Sequence, residues 1–117
     1  MQTELLREGN QDELRVVTMR RAGNGTITVR ERTDGALTLA AYGVLACVRE
    51  LRLKEKDALR LVEALQGTGG PEQALRSFFE GGEAFLSDLQ DVLEWEGIPY
   101  ALSMRCGNDL GVRSRAA

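Results

Sequence analysis

The stretch that decides the fold runs from residue 14 to residue 30 and reads LRVVTMRRAGNGTITVR. Two β-prone runs, 14–20 and 26–30, flank the segment Gly23-Asn24-Gly25. Asn-Gly between two such runs is the strongest short-range signal for a hairpin, because both residues tolerate the positive φ angles of a type I′ turn. We therefore predict a β-hairpin here. In its second strand one face carries Ile27 and Val29, and the other carries Thr28, Arg30 and Arg32.

Residues 36–41, which follow the hairpin, fit either a third strand or a helix. Asp34-Gly35 could turn the chain into a strand, or Asp34 could cap a helix. The helical alternative places apolar residues at a 4-3-4-3 spacing: Leu37, Ala41, Val44, Val48 and Leu51. Gly43 weakens such a helix. Both alternatives stay open for residues 36–41, and we favour a helix from Tyr42 onward.

Three further helices are predicted at residues 55–66, 71–80 and 83–96, separated by Gly-rich segments. Pro71 suits the first position of the second helix, and Gly97 suits the position just after the third. The apolar residues of each helix share one face, which we expect to be buried. They are Ala58, Leu59, Val62 and Leu65; Ala74, Leu75, Phe78 and Phe79; and Phe85, Leu86, Leu89, Val92 and Leu93.

Residues 98–104 are typical of a C-terminal strand, with Pro99 at its start or at an edge. The predicted fold class is α+β, with a small antiparallel sheet packed against three to four helices. The N-terminal β-hairpin and the C-terminal strand would form that sheet. We predict a single domain over residues 13–104, with a flexible or short helical N-terminus at 1–12 and a disordered tail at 105–117.

The composition bounds the class of protein. The chain has 117 residues, a formal net charge of −3 and two cysteines. It contains no apolar run long enough to span a membrane, and its first residues do not resemble a signal peptide. We expect a cytoplasmic location and no membrane partner. Cys47 and Cys106 lack metal-ligand spacing, and we expect them to stay unpaired because disulfides are rare in the cytoplasm.

The chain contains no histidine. This removes the commonest general base, the Ser-His and Cys-His arrangements, and the commonest transition-metal ligand. The Gly-rich segment 67–70 lacks the Gly-Lys-Ser/Thr ending of a phosphate-binding loop. Asp88, Asp91 and Glu94 lack the oxygen cage that calcium needs. We therefore predict no enzyme activity, no cofactor and no bound metal.

Charge is distributed unevenly along the chain. Residues 14–32 hold five arginines against one glutamate, whereas residues 63–104 hold eight acidic residues against one arginine. A basic hairpin can contact a phosphate backbone or an acidic partner, and an acidic helical surface can bind a basic protein. Solvated faces of a globular protein would show the same pattern. The candidate binding residues on the hairpin are Arg20, Arg21, Arg30 and Arg32.

Trp95 is the most informative residue of the last predicted helix. It lies outside the apolar face, on one stripe with Asp88 and Asp91. The ring either folds over the edge of the core, as tryptophan usually does, or it is an exposed anchor for a partner. We predict a non-catalytic protein-binding module (a regulatory, adaptor or inhibitor protein) that binds another protein or a second copy of itself. The alternative is a nucleic-acid-binding protein that uses the basic hairpin.

Overall fold

A computed structural model describes residues 2–107, which form one five-stranded antiparallel sheet and four helices, a small single α+β domain. The strands are β1 (Gln2–Gly9), β2 (Glu13–Arg21), β3 (Ile27–Gly35), β4 (Ala46–Leu53) and β5 (Ala101–Gly107). The helices are α1 (Ala36–Tyr42), α2 (Glu55–Ala64), α3 (Pro71–Phe79) and α4 (Leu86–Glu96), with a 3₁₀ turn at Glu80–Gly82. The predicted fold class is confirmed.

The predicted hairpin is formed by β2 and β3, which pair along their whole length. The turn differs in detail from the expected type I′. Ala22 N donates to Thr26 O at 2.9 Å, and Gly25 N donates to Ala22 O at 3.0 Å. Gly25 has a φ of 87°. The connection is therefore a three-residue loop whose last residue is left-handed, the next most common hairpin geometry.

The strands lie in the order β1-β2-β3-β4-β5, and α2, α3 and α4 pack on one face of the sheet. We call this the covered face and the opposite one the open face. Ile27 and Val29 share the covered face, as predicted, and both are fully buried there. They join a core built with leucines of all three helices: Leu61, Leu75, Leu86, Leu89 and Leu93. Arg30 and Arg32 point to the open face, also as predicted.

The N-terminal segment, predicted to be flexible or briefly helical, is instead the edge strand β1. It pairs antiparallel with β2, with a bulge between Glu4 and Leu6. Leu5 is buried in the core, and Leu6 packs against it. The prediction was wrong because an edge strand with one solvated face needs few apolar residues. Its ladder hydrogen bonds come from β2, which the local pattern does not show.

The helix predicted from Tyr42 onward is also wrong. Residues 36–41 are helical, but α1 ends at Tyr42, and Gly43 caps it with a left-handed φ of 78°. The chain then forms β4, which pairs with β3 on one side and β5 on the other. Because β4 is central, its apolar residues are buried on both faces, Leu51 on the covered face and Val48 on the open face. That pattern is typical of a buried strand and fits a helical spacing equally well.

The three later helices are confirmed, with shorter limits than predicted. Two residues expected in the core are exposed instead, Leu59 on α2 and Phe85 just before α4. The C-terminal strand β5 is confirmed too. It runs to Gly107, so residues 105–107 belong to the sheet rather than to a disordered tail. The rest of that predicted tail, 108–117, lies outside the described residues.

Cys47 and Cys106 form a disulfide, contrary to expectation. They lie directly opposite each other on β4 and β5, with their Cα atoms 4.0 Å apart. The expectation of unpaired cysteines rested on a cytoplasmic location, and the sequence pattern did not identify β4. Once β4 is in the sheet, the register alone brings the two sulfur atoms together.

None of the helices within residues 2–107 is long and apolar enough to cross a membrane.

Candidate functional site

A buried ion cluster joins the sheet to the start of α4. The Arg15 guanidinium donates to Glu8 Oε2 and to Glu31 Oε2, each at 2.8 Å, and to the Gly82 carbonyl at 3.0 Å. Glu31 Oε2 also accepts the backbone N–H of Leu86 at 3.1 Å. A carboxylate suits this place because the N-terminus of a helix carries partial positive charge. The cluster therefore fixes where α4 begins.

Phe85 stands over this cluster. The Arg15 guanidinium carbon lies 4.4 Å from the centre of the Phe85 ring, which is a cation–π distance. The N–H of Phe85 donates to Asp88 Oδ2 at 2.7 Å, so Asp88 caps the first turn of α4. Phe85 thus precedes the helix instead of lying on its buried face. This explains why its ring remains half exposed.

Glu13 holds α1 in place from the neighbouring strand. Its Oε1 accepts the N–H groups of Leu37 and Thr38 at 3.1 and 3.3 Å, and its Oε2 accepts the Thr38 hydroxyl at 2.7 Å. These are N–H groups that the first turn of a helix cannot satisfy internally. The chain enters α1 through Gly35, where a Cβ would lie 2.1 Å from the Asp12 carbonyl oxygen. Only glycine fits there.

Helix α1 presents apolar side chains to solvent. Leu37 is 69% exposed, and Leu39 and Tyr42 are both 47% exposed. Thr38 is the buried residue of this helix, and residues 36–48 carry no charge. A surface helix normally turns its apolar side to the core. Here the apolar side has no partner among residues 2–107.

A groove of about 620 Å³ separates α1 from Phe85. Leu37, Tyr42 and Phe85 line it with apolar surface, and its charged lining residues are Glu8, Glu13 and Arg15. We call this the α1 groove. Its volume is within the range of ligand pockets, roughly 300–1,000 Å³. The lining of the groove thus combines apolar side chains with carboxylates.

The predicted residues of α4 lie away from this groove. Trp95 is 88% exposed, and Asp88 and Asp91 are exposed on the same helix. Phe85 and Trp95 stand at opposite ends of α4, roughly 15 Å apart at 1.5 Å per residue. The structure excludes a Trp95 ring folded over the core. Asp88, Asp91 and Trp95 therefore form an exposed surface that is separate from the α1 groove.

The predicted hairpin arginines are divided between the two faces of the sheet. Arg20, Arg30 and Arg32 lie on the open face, whereas Arg21 lies on the covered face. Arg32 Nε donates to Asp34 at 2.7 Å. Since α4 packs on the covered face, the structure does not bring the open-face arginines together with Trp95. The two predicted surfaces are on opposite sides of the molecule.

Tyr100 links α4 to the start of β5. Its hydroxyl donates to Glu94 Oε2 at 2.5 Å and accepts from Gln90 Nε2 at 3.3 Å. The hydrogen bond to the Glu94 carboxylate raises the pKa of Tyr100 above its usual value, because the bond is lost when the phenol ionises. The phenol therefore stays protonated and holds this junction in place.

The fold and its site define an α+β domain with a groove that is lined by apolar and acidic side chains. Comparisons with protein-family models, with curated proteins and with solved structures found no match. Within residues 2–107, no cluster of three or more cysteine, aspartate or glutamate side chains is arranged to hold a metal ion.

Sequence reasoning missed the α1 groove entirely. The available signal was the run at residues 36–48, which has no charged residue for a solvated helix face. Phe85 was assigned to the core because it matches the helical period of α4. Glu13 offered no signal, since its role depends on the placement of β2 beside α1.

Proposed function

We propose that this protein is a non-catalytic protein-binding module and that the α1 groove is its contact surface. The observation that carries the proposal is the unpartnered apolar side of α1. Exposed and contiguous apolar surface beside a concave groove is typical of interaction sites. The absence of histidine from the whole sequence supports a binding role over a catalytic one.

The charges of the groove indicate the chemistry of the partner. Two carboxylates, those of Glu8 and Glu13, and one guanidinium, that of Arg15, line the groove, and Arg15 is also paired with the buried Glu31. The groove therefore has an excess of negative charge, which attracts a cation. Leu37 and Tyr42 offer apolar contact beside it. We propose that the occupant is a partner segment with an apolar side chain next to a lysine or arginine.

Selection of displayed random peptides against the full chain tests this proposal. The enriched peptides are expected to carry an apolar residue beside a basic one. Their affinity, measured by fluorescence anisotropy, should fall about tenfold or more in Leu37→Ser, because truncating a central anchor typically costs at least about 2 kcal/mol. Leu59→Ser is the matched control, since it removes an exposed leucine from α2. Enriched peptides that bind Leu37→Ser as well as the wild type would refute the groove as the site.

The same selected peptides test Trp95 as a second binding surface. An arginine-bearing partner could stack on the ring and pair with Asp88 or Asp91. Peptides that lose affinity in Trp95→Ala but not in Leu37→Ser would assign binding to α4.

A cytoplasmic location remains part of the proposal. The Cys47–Cys106 disulfide is more typical of an oxidising compartment.

The open face of the sheet favours nucleic-acid binding as a second candidate function. Arg20, Thr28 and Arg52 form a row across β2, β3 and β4. Arg20 and Arg52 are both exposed, and within residues 2–107 neither forms an ion pair. Two free cations on an uncovered sheet can follow a phosphate backbone.

Single-stranded oligonucleotide binding, titrated over a range of salt concentrations, tests the second candidate. If it is right, the Arg20→Ser/Arg52→Ser double variant should bind more weakly, and the negative slope of log K against log salt should decrease in magnitude by about 1.4. The matched control is Arg60→Ser/Arg76→Ser, which removes two exposed arginines from the helices. Absence of binding at low salt would eliminate nucleic acid as a partner.

A further inference from the structure

The two edges of the sheet differ in how they are protected. β1 carries the charged residues Glu4, Arg7 and Glu8, and a bulge interrupts it. Charges and bulges are the features by which proteins block edge-to-edge pairing. β5 pairs with β4 over all seven of its residues without a bulge, and it has one charge, on Arg105. Among residues 2–107, no strand lies on its outer side.

The register shows which backbone groups of β5 face outward. Opposed residues in an antiparallel pair alternate between a hydrogen-bonded spacing of about 5.5 Å and a non-hydrogen-bonded spacing of about 4.5 Å. The Cα atoms of Cys47 and Cys106 are 4.0 Å apart, so this pair is of the second kind. Met104 and Leu102 lie two and four residues before Cys106, so their pairs with β4 are also of the non-hydrogen-bonded kind. Their N–H and C=O groups, with those of Cys106, therefore point away from β4.

The side chains of the same residues leave apolar surface beside this edge. Leu102 is 43% exposed and Met104 is 37% exposed, both on the covered face of the sheet. A partner strand placed alongside would cover them. Within residues 2–107, the edge thus offers backbone groups that no strand pairs with, together with apolar side chains.

We propose that β5 pairs antiparallel with β5 of a second copy, on a two-fold axis at Met104, to give a continuous sheet across the dimer. This register pairs all seven residues of the strand. Met104 lies opposite the partner's Met104, and Leu102 lies opposite the partner's Cys106. Each outward-facing residue exchanges two backbone hydrogen bonds with its counterpart.

The occupant is a second copy because the edge is complementary to itself. A two-fold axis places the same patch on both subunits, as isologous dimers require. Arg105 lies opposite the partner's Ser103, so the one charge of the strand does not face its like. The apolar side chains of both strands meet on the covered face. This pairing uses neither the α1 groove nor Trp95 and is independent of the proposed function.

Analytical ultracentrifugation of the full chain tests the dimer. The wild type is expected to dimerise, and Met104→Lys is expected to weaken the dimer at least about tenfold, because it places like charges opposite each other at the axis. Leu59→Lys is the matched control, an exposed leucine on α2 that should leave the dimer unchanged. A wild-type chain that stays monomeric at millimolar concentration would overturn the proposal. So would equal dimerisation of both variants.

Hydrogen exchange of the wild type gives a second readout, which requires no variant. The amides of Leu102, Met104 and Cys106 should become protected as the protein concentration rises, because only the partner strand accepts from them. The amide of Ser103, which faces β4, should be protected at every concentration. Fast exchange of the three outward amides in concentrated solution would overturn the proposed pairing.

Discussion

Replacing Arg15 with methionine is expected to lower the free energy of unfolding by about 3–5 kcal/mol, the typical cost of breaking a buried ion pair. The side chains of Arg15 and Glu31 are only 5% and 8% exposed. Loss of the guanidinium would leave the Glu31 carboxylate charged and buried, with the Leu86 N–H as its remaining donor. Urea denaturation followed by circular dichroism measures the change.

Two further variants separate the buried charge from packing. Arg15→Met/Glu31→Gln should recover more than half of the lost stability, because the amide still accepts from Leu86 and carries no charge. Arg7→Met is the control for an exposed pair, since Arg7 and Glu4 are 57% and 47% exposed. It should cost at most about 1 kcal/mol. A cost for Arg15→Met as small as that of Arg7→Met would show that the cluster is solvated.

Reduction of the Cys47–Cys106 disulfide is expected to lower the free energy of unfolding by about 2–4 kcal/mol, because the bond limits the freedom of the unfolded chain. It closes a long loop, with a sequence separation of 59. The domain should nevertheless stay folded in reductant, since neither cysteine belongs to its main hydrophobic core. Denaturation curves with and without a thiol reductant measure the effect.

The Cys47→Ala/Cys106→Ala double variant is the control for the disulfide. It should resemble the reduced wild type and should not respond to reductant. Titration of free thiols in the native wild type should give none for this pair. Two titratable thiols, or identical denaturation curves in both conditions, would contradict the bond.

The local parts of this fold could be predicted from the sequence. The β2–β3 hairpin follows from Gly23-Asn24-Gly25 between two β-prone runs. The positions of α2, α3 and α4 along the chain follow from amphipathic spacing interrupted by glycines and Pro71. The placement of Arg30 and Arg32 on the face opposite Ile27 and Val29 follows from alternation along β3. Each of these features depends on interactions between residues close together in the chain.

The other features of the fold depend on contacts between segments that are distant in the chain. The apolar positions of β4 fit a helix as well as a strand, and β1 has too few apolar residues to be recognised by itself. The disulfide and the α1 groove depend on those two strands and on the placement of β2 beside α1. The physical reason is the source of the backbone hydrogen bonds. A helix satisfies its N–H groups from carbonyls four residues away, whereas a strand satisfies them from distant segments that no local pattern identifies.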